Sequence, residues 1–139
     1  MGSSVCELTT AELFVTEWVD PVTSLVGFDA CSEYVETYWL GVIGPSATWV
    51  MRFFARELEF FPNGYCLNLN DTAAVLGLAY RNGSGSLERA IQRCATFGLV
   101  AQVPKSLAVR KRVPPITKRQ LSRLPASLQH CHSELFATS

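Results

Sequence analysis

The side chains able to act as acid, base or nucleophile are few in this sequence and poorly spaced for that work. His130 and His132 are the only histidines, and no serine or cysteine lies in the strand-turn-helix setting that activates a nucleophile. Glu57 and Glu59 stand two apart, so on a helix they face apart. Gly83-Ser84-Gly85-Ser86 precedes a helix as a phosphate cradle would. No Gly-Lys-Ser/Thr follows it and no parallel-sheet pattern surrounds it, so it reads as a hinge. Neither catalysis nor a cofactor is therefore expected. His130-Cys131-His132 crowds metal-ligand types, yet adjacent helix positions diverge and no second ligand pair follows, so no metal is expected. The five cysteines (Cys6, Cys31, Cys66, Cys94, Cys131) are odd in number and never spaced Cys-x-x-Cys. That argues against a disulfide framework and a zinc finger, and for small core residues.

A different chemistry fits Arg89, Gln92, Arg93 and Thr96. Steps of three, four and seven put them on one helix face, opposite Leu87, Ala90, Ile91, Cys94 and Phe97. Arginine suits the guanine O6 and N7 edge and glutamine the adenine N6 and N7 edge, each good pair discriminating by about 1–3 kcal/mol. Ser84 and Ser86, with the helix N-terminus, could hold a phosphate through backbone N–H groups, and Arg81 lies in the same loop. Further on, strand alternation puts Arg110 and Arg112 on one side, away from Val109, Lys111 and Val113. Lys105 at a hairpin tip, with Lys118, Arg119 and Arg123, would extend the basic track, positioning a ligand rather than specifying it.

Net charge is zero but unevenly distributed. Residues 1–50 carry seven acidic side chains and no Lys or Arg, whereas residues 81–123 carry ten basic ones against Glu88 alone. A basic half with polar helix faces is the footprint of a polyanion surface, because neutralised phosphates release condensed counterions. Plain solvent exposure accounts for the same helix face, and charge that blocks edge pairing accounts for the basic strand.

The elements that must position these residues read as follows. A chain of 139 residues, 48% hydrophobic and 17% charged, buries one core and scarcely two. Residues 7–19 mix apolar and acidic types, and Asp20-Pro21 caps a short helix ending at Gly27. A second helix starts near Ser32, with Tyr34, Val35, Tyr38, Trp39 and Val42 inward, and stops at Gly44-Pro45. Residues 45–61 give the strongest helical pattern, Pro62-Asn63-Gly64 a turn, and Tyr65 to Leu69 a short strand. Asn70-Asp71-Thr72 caps a helix closed by Gly77. A polar loop leads into the helix Leu87 to Phe97, stopped by Gly98. Strands Leu99 to Val103 and Leu107 to Val113 form a hairpin around Pro104-Lys105-Ser106. After Pro114-Pro115 come a short basic helix and a last helix from Pro125 with Leu128, Cys131 and Leu135.

Helix, strand, helix, loop, helix and hairpin over Pro45 to Val113 resembles the winged-helix superfamily. The resemblance implies an α+β fold, mainly helical with a small hairpin. The chain divides into an acidic, aromatic helical extension (1–44), the winged helix-turn-helix domain (45–113) and C-terminal helices on the same core (114–139). It also implies a non-catalytic protein bound to double-stranded DNA, a transcriptional regulator, with helix 86–97 in the major groove and wing 99–113 on the backbone. Residues 34–40, 44–48 and 110–115 also resemble stretches of actinobacterial proteins, which adds no activity. The alternative is a winged-helix protein-interaction or dimerisation module, its interface built from Trp18, Tyr34, Tyr38 and Trp39. A homodimer through the N-terminal and C-terminal helices would combine both readings. The longest apolar stretch, Tyr38 to Val50, is interrupted and too short for a membrane span. Without a signal-like N-terminus, and with Cys6 where a myristoylated Gly2 wants Ser or Thr four residues on, the expected location is cytoplasmic.

Overall fold

The computed structural model describes residues 11–104 and 106–137. Lys105 and the readings placed on Gly2 and Cys6 lie outside the described residues. The architecture is mixed: seven α-helices, a π-helical turn, a four-stranded mixed sheet and a two-stranded ribbon among the described residues.

The chain opens on strand β1 (Glu12–Glu17), not the helix expected of the N-terminal extension. β1 lies between two other strands, antiparallel to β3 (Tyr65–Asn68) and parallel to β5 (Ser106–Val109), with Val15 opposite both Tyr65 and Leu107. A strand paired on both edges has its backbone polar groups satisfied by neighbours, which here overrides the local acidic and apolar mixture. β4 (Val100–Val103) completes the sheet in the order β3-β1-β5-β4, and it forms the foreseen antiparallel hairpin with β5.

Helix α1 (Pro21–Val26) starts where expected: Asp20 accepts from the N–H groups of Val22 and Thr23, and Pro21 fills the first turn. β2 (Phe28–Asp29) pairs with β6 (Arg112–Val113). The expected strand Leu107 to Val113 is thus two strands. Arg110 and Lys111 sit at the break, and their carbonyl and amide groups serve the loops after β2 and before β4, as in Ala30 N–H to Lys111 O and Arg110 N–H to Leu99 O. A π-helical turn (Val35–Trp39) runs into α2 (Leu40–Ile43). The wider turn keeps Tyr34, Val35, Tyr38 and Trp39 all inward, and the Trp39 indole donates to Pro114 O at 2.9 Å.

α3 (Pro45–Phe60) is the spine, burying Val50, Met51, Phe54 and Leu58 against the sheet and α5. α4 (Leu69–Leu76) takes Asn68 as its cap, two residues before the expected Asn70, because the Asn68 side chain accepts from Asp71 N–H and leaves Asn70 inside the first turn. Gly77, at φ 72°, ends it in the left-handed region that favours glycine. α5 (Ser86–Thr96) follows, then the hairpin, α6 (Lys118–Leu121) with a Thr117 capping box, and α7 (Ala126–Ala137). One continuous core links Val15 of β1, Trp39, Phe54 of α3, Leu87 of α5, Leu107 of β5 and Leu124 before α7.

Candidate nucleic-acid interface

α5 is built for two environments. Leu87, Ala90, Ile91 and Cys94 are buried, and the Cys94 thiol donates to Ala47 O of α3, fixing the helix across the core. Arg89, Gln92, Arg93 and Thr96 are all exposed, on the face expected of them. Their chemistry differs more than their exposure. Arg89 Nη1 reaches back to Ser84 O at 2.6 Å and Thr96 Oγ1 donates to Gln92 O at 3.0 Å. Arg93 is an internal brace as well as a surface charge. Its Nε donates to Ile43 O at 2.7 Å and its Nη2 to Val42 O at 3.2 Å, closing the C-terminal end of α2, with Phe97 beneath the guanidinium.

The loop ahead of α5 departs from the expected phosphate cradle. Its backbone N–H groups point inward, to the Glu88 carboxylate, which accepts from Arg81 and Gly83. Burial pushes the Glu88 carboxyl up, but the N–H donors of Gly83, Glu88, Arg81 and Gly85 outweigh it and hold the group below its ordinary value. Glu88 thus occupies the position intended for a ligand's negative charge. Ser86 Oγ accepts from Ala79 N–H at 2.8 Å, and Ser84 Oγ donates to Arg81 O at 3.2 Å. Neither serine is poised for phosphate. Gly85 is sterically required, because a Cβ there would collide with Ala79 O and with the Glu88 carboxylate. The Arg81 side chain remains exposed.

Arg110 and Arg112 do not share the outer face expected of them: Arg110 turns inward, and Arg112, though exposed, is tied back to the residue before β2. Arg110 stacks 3.8 Å over the Trp18 ring, donates Nε–H to Gly98 O at 2.8 Å and pairs with Asp20 at 3.1 Å. The Arg110 guanidinium, helped by N–H and hydroxyl donors from Thr23 and Val22, holds the Asp20 carboxyl below its usual value. Arg112 donates to Gly27 O, securing the C-terminal end of α1. Lys111, expected on the opposite side, pairs with Glu59 at 2.8 Å. The acidic first third is therefore bonded to the base of the β4–β5 hairpin, a pairing between residues some ninety positions apart that no local pattern reveals.

Past the wing, Lys118, Arg119 and Arg123 are exposed. Leu124 lies against Gly41 of α2, the helix whose end Arg93 braces. Between α5 and the N-terminus of α3 is a depression of about 280 Å³ bordered by Arg89, Arg93, Ser46 and Ser86. Gly44 caps α3 without a side-chain bond, and the helix start from Gly44 to Ala47 lines this depression. The sequence reading missed this feature, although Gly44-Pro45-Ser46 marked the helix start.

The aromatics assigned to a partner interface belong to the interior. Tyr34, Tyr38 and Trp39 are buried and Trp18 lies under Arg110. Tyr34 Oη accepts from Ile116 N–H at 3.0 Å and bonds His132 Nε2 at 2.8 Å, tying α7 to the core. His130 faces solvent beside Glu134 at 3.6 Å and Cys131 is exposed, so the three residues of the His-Cys-His run diverge. Of the other cysteines, Cys94 is buried, Cys31 is exposed and Cys66 is disulfide-bonded, the last two departing from the expectation of reduced core thiols. No helix among the described residues is long and apolar enough to cross a membrane. No family model matches this chain, and neither a curated protein nor a solved structure matches it.

Proposed function

We propose that the chain is a winged-helix DNA-binding protein, a transcriptional regulator, that lays α5 in the major groove and rests the β4–β5 hairpin on the backbone. The observation that carries this reading is the outer face of α5. Arg89, Gln92, Arg93 and Thr96 are exposed together, and among the described residues neither arginine has an acidic partner. Carbonyl bonds leave the arginine charges intact, so the face keeps the net positive field that phosphates require. Arg89 and Gln92 read bases, Arg81 and the Arg89–Arg93 depression at the α3 N-terminus take phosphates, and Arg110 and Arg112 hold the wing to α1.

The test is fluorescence anisotropy with random and genomic duplexes over a salt series. The unmodified protein should bind with a negative log-log salt slope of about 0.9 per neutralised phosphate. Arg89→Ala should flatten sequence preference by about 1–3 kcal/mol at one position. Absence of binding at low salt rejects the reading.

A second reading, a protein-interaction module or homodimer, is favoured by one observation. Val19, Val22, Leu25 and Val26 around α1 are 68%, 68%, 83% and 63% exposed. Sedimentation of Leu25→Glu beside the unmodified protein checks it: self-association lost in the variant supports an α1 interface, and a monomer throughout rejects the homodimer.

A further inference from the structure

α3 is amphipathic on two sides. Away from its core face, Trp49, Arg52, Phe53 and Arg56 recur at steps of three, four and seven and so share one surface. Across from them Val75 and Leu76 of α4, with Leu78 just beyond, form a second wall, enclosing a cavity of about 700 Å³. Trp49 is 57% exposed and Val75 70%. Leaving the Trp49 indole of α3 and the Val75 side chain of α4 in water is unfavourable at about 25 cal/mol per Å² of apolar area.

The polar side chains lining this cavity are two guanidiniums, the Ser46 hydroxyl and the Cys31 thiol. Arg52 donates from Nη2 to Glu36 at 2.8 Å and Cys31 O at 3.0 Å while lying 5.3 Å over Trp49. Arg56 lies 5.8 Å over Phe53 and, among the described residues, has no acidic partner. The cavity is thus apolar and aromatic with one uncompensated positive fork at its edge. Volumes of roughly 300–1,000 Å³ with apolar walls and a few placed polar groups are characteristic of small-molecule sites.

We propose that this cavity binds a small organic anion, a carboxylate carried on a ring or short alkyl body. The body would replace water against Trp49, Phe53 and Val75, and the carboxylate would take the bidentate donors of Arg56, with Arg52 as the second charge. The inference does not depend on DNA binding.

The test uses 4-phenylbutyrate and octanoate, with 4-phenylbutanol as the neutral control, by isothermal titration on the full chain. A second readout exploits Cys31, an exposed free thiol on the cavity wall, with exposed Cys131 of α7 as internal reference. Saturable one-to-one binding of at least one carboxylate, slower iodoacetamide modification of Cys31 but not Cys131, and about tenfold weaker binding by Arg56→Gln and of the alcohol would uphold the proposal. Both Arg56 and Trp49 are exposed, so Arg56→Gln and Trp49→Ala leave the core untouched. No saturation below roughly millimolar concentration overturns it. So does equal binding of the alcohol, or affinity undiminished in both variants, or self-association through this face by sedimentation in place of ligand binding.

Discussion

Tyr34→Phe removes one oxygen and leaves a ring of the same shape, so the stack on Phe28, with centroids 3.8 Å apart and planes within 4°, is kept. The lost hydroxyl serves two buried partners: it accepts from Ile116 N–H and shares a hydrogen bond with His132 Nε2. Each partner left unpaired in the interior costs about 1–3 kcal/mol. Since α7 lies at the edge and can shift, the combined loss should fall at about 2–4 kcal/mol. Urea unfolding followed by tryptophan fluorescence measures it, with the midpoint falling at unchanged slope. A loss below about 0.5 kcal/mol, the range of ordinary surface substitutions, would refute the pairing. The same network sets a pH dependence. Burial lowers the His132 pKa, so the folded chain refuses a proton that the unfolded chain takes near its ordinary value of 6.5. Stability should therefore be complete above about pH 6.5 and decline as pH falls through that value, because the unfolded state there binds more protons. A flat profile from pH 7.5 to about 5 in a variant retaining only this histidine would contradict the neutral assignment.

Gly85→Ala should lower the thermal midpoint strongly, because the new methyl group meets Ala79 O and the Glu88 carboxylate that holds the loop; calorimetry of that variant beside Ser84→Ala, whose serine is exposed, separates the clash from a general loop effect. Arg110→Ala should unfold at lower temperature than Arg89→Ala, since Arg110 bonds Gly98 O and Asp20 and covers Trp18, whereas Arg89 has one carbonyl contact; equal melting of the two would sink the assignment of Arg110 as a clamp. Thiol titration of the native, unreduced protein should find Cys31 and Cys131 reactive and Cys94 inert, its thiol pushed up to about 12 by burial, with Cys66 released only by reductant.

The helices α3 and α5 were legible because periodicity, cap and stop coincide: Pro45 opens one, Gly98 follows the other, and the buried set of α5 matches its expected inner positions. The hairpin was legible from Pro104 between two apolar runs. β1 was not, because a strand paired on both edges needs no strict alternation and its apolar run fits a helix as well. Nor was the fate of the wing arginines. Alternation along residues 109–113 assumes one unbroken strand, and the break after Val109 sends Arg110 to Asp20 and Arg112 to Gly27. In the candidate interface the sequence located the exposed face of α5 correctly, but could not reveal that Glu88 folds back on the loop N–H groups ahead of it.

The assignment of α5 as the DNA-reading helix is tested most directly by amide chemical-shift mapping during titration with a duplex at low salt. Shifts concentrated at Arg81, Arg89, Gln92 and Ser46, reversed by added salt, are the expected result. Shifts absent, or confined to Val19, Val22 and Leu25 around α1, would contradict it.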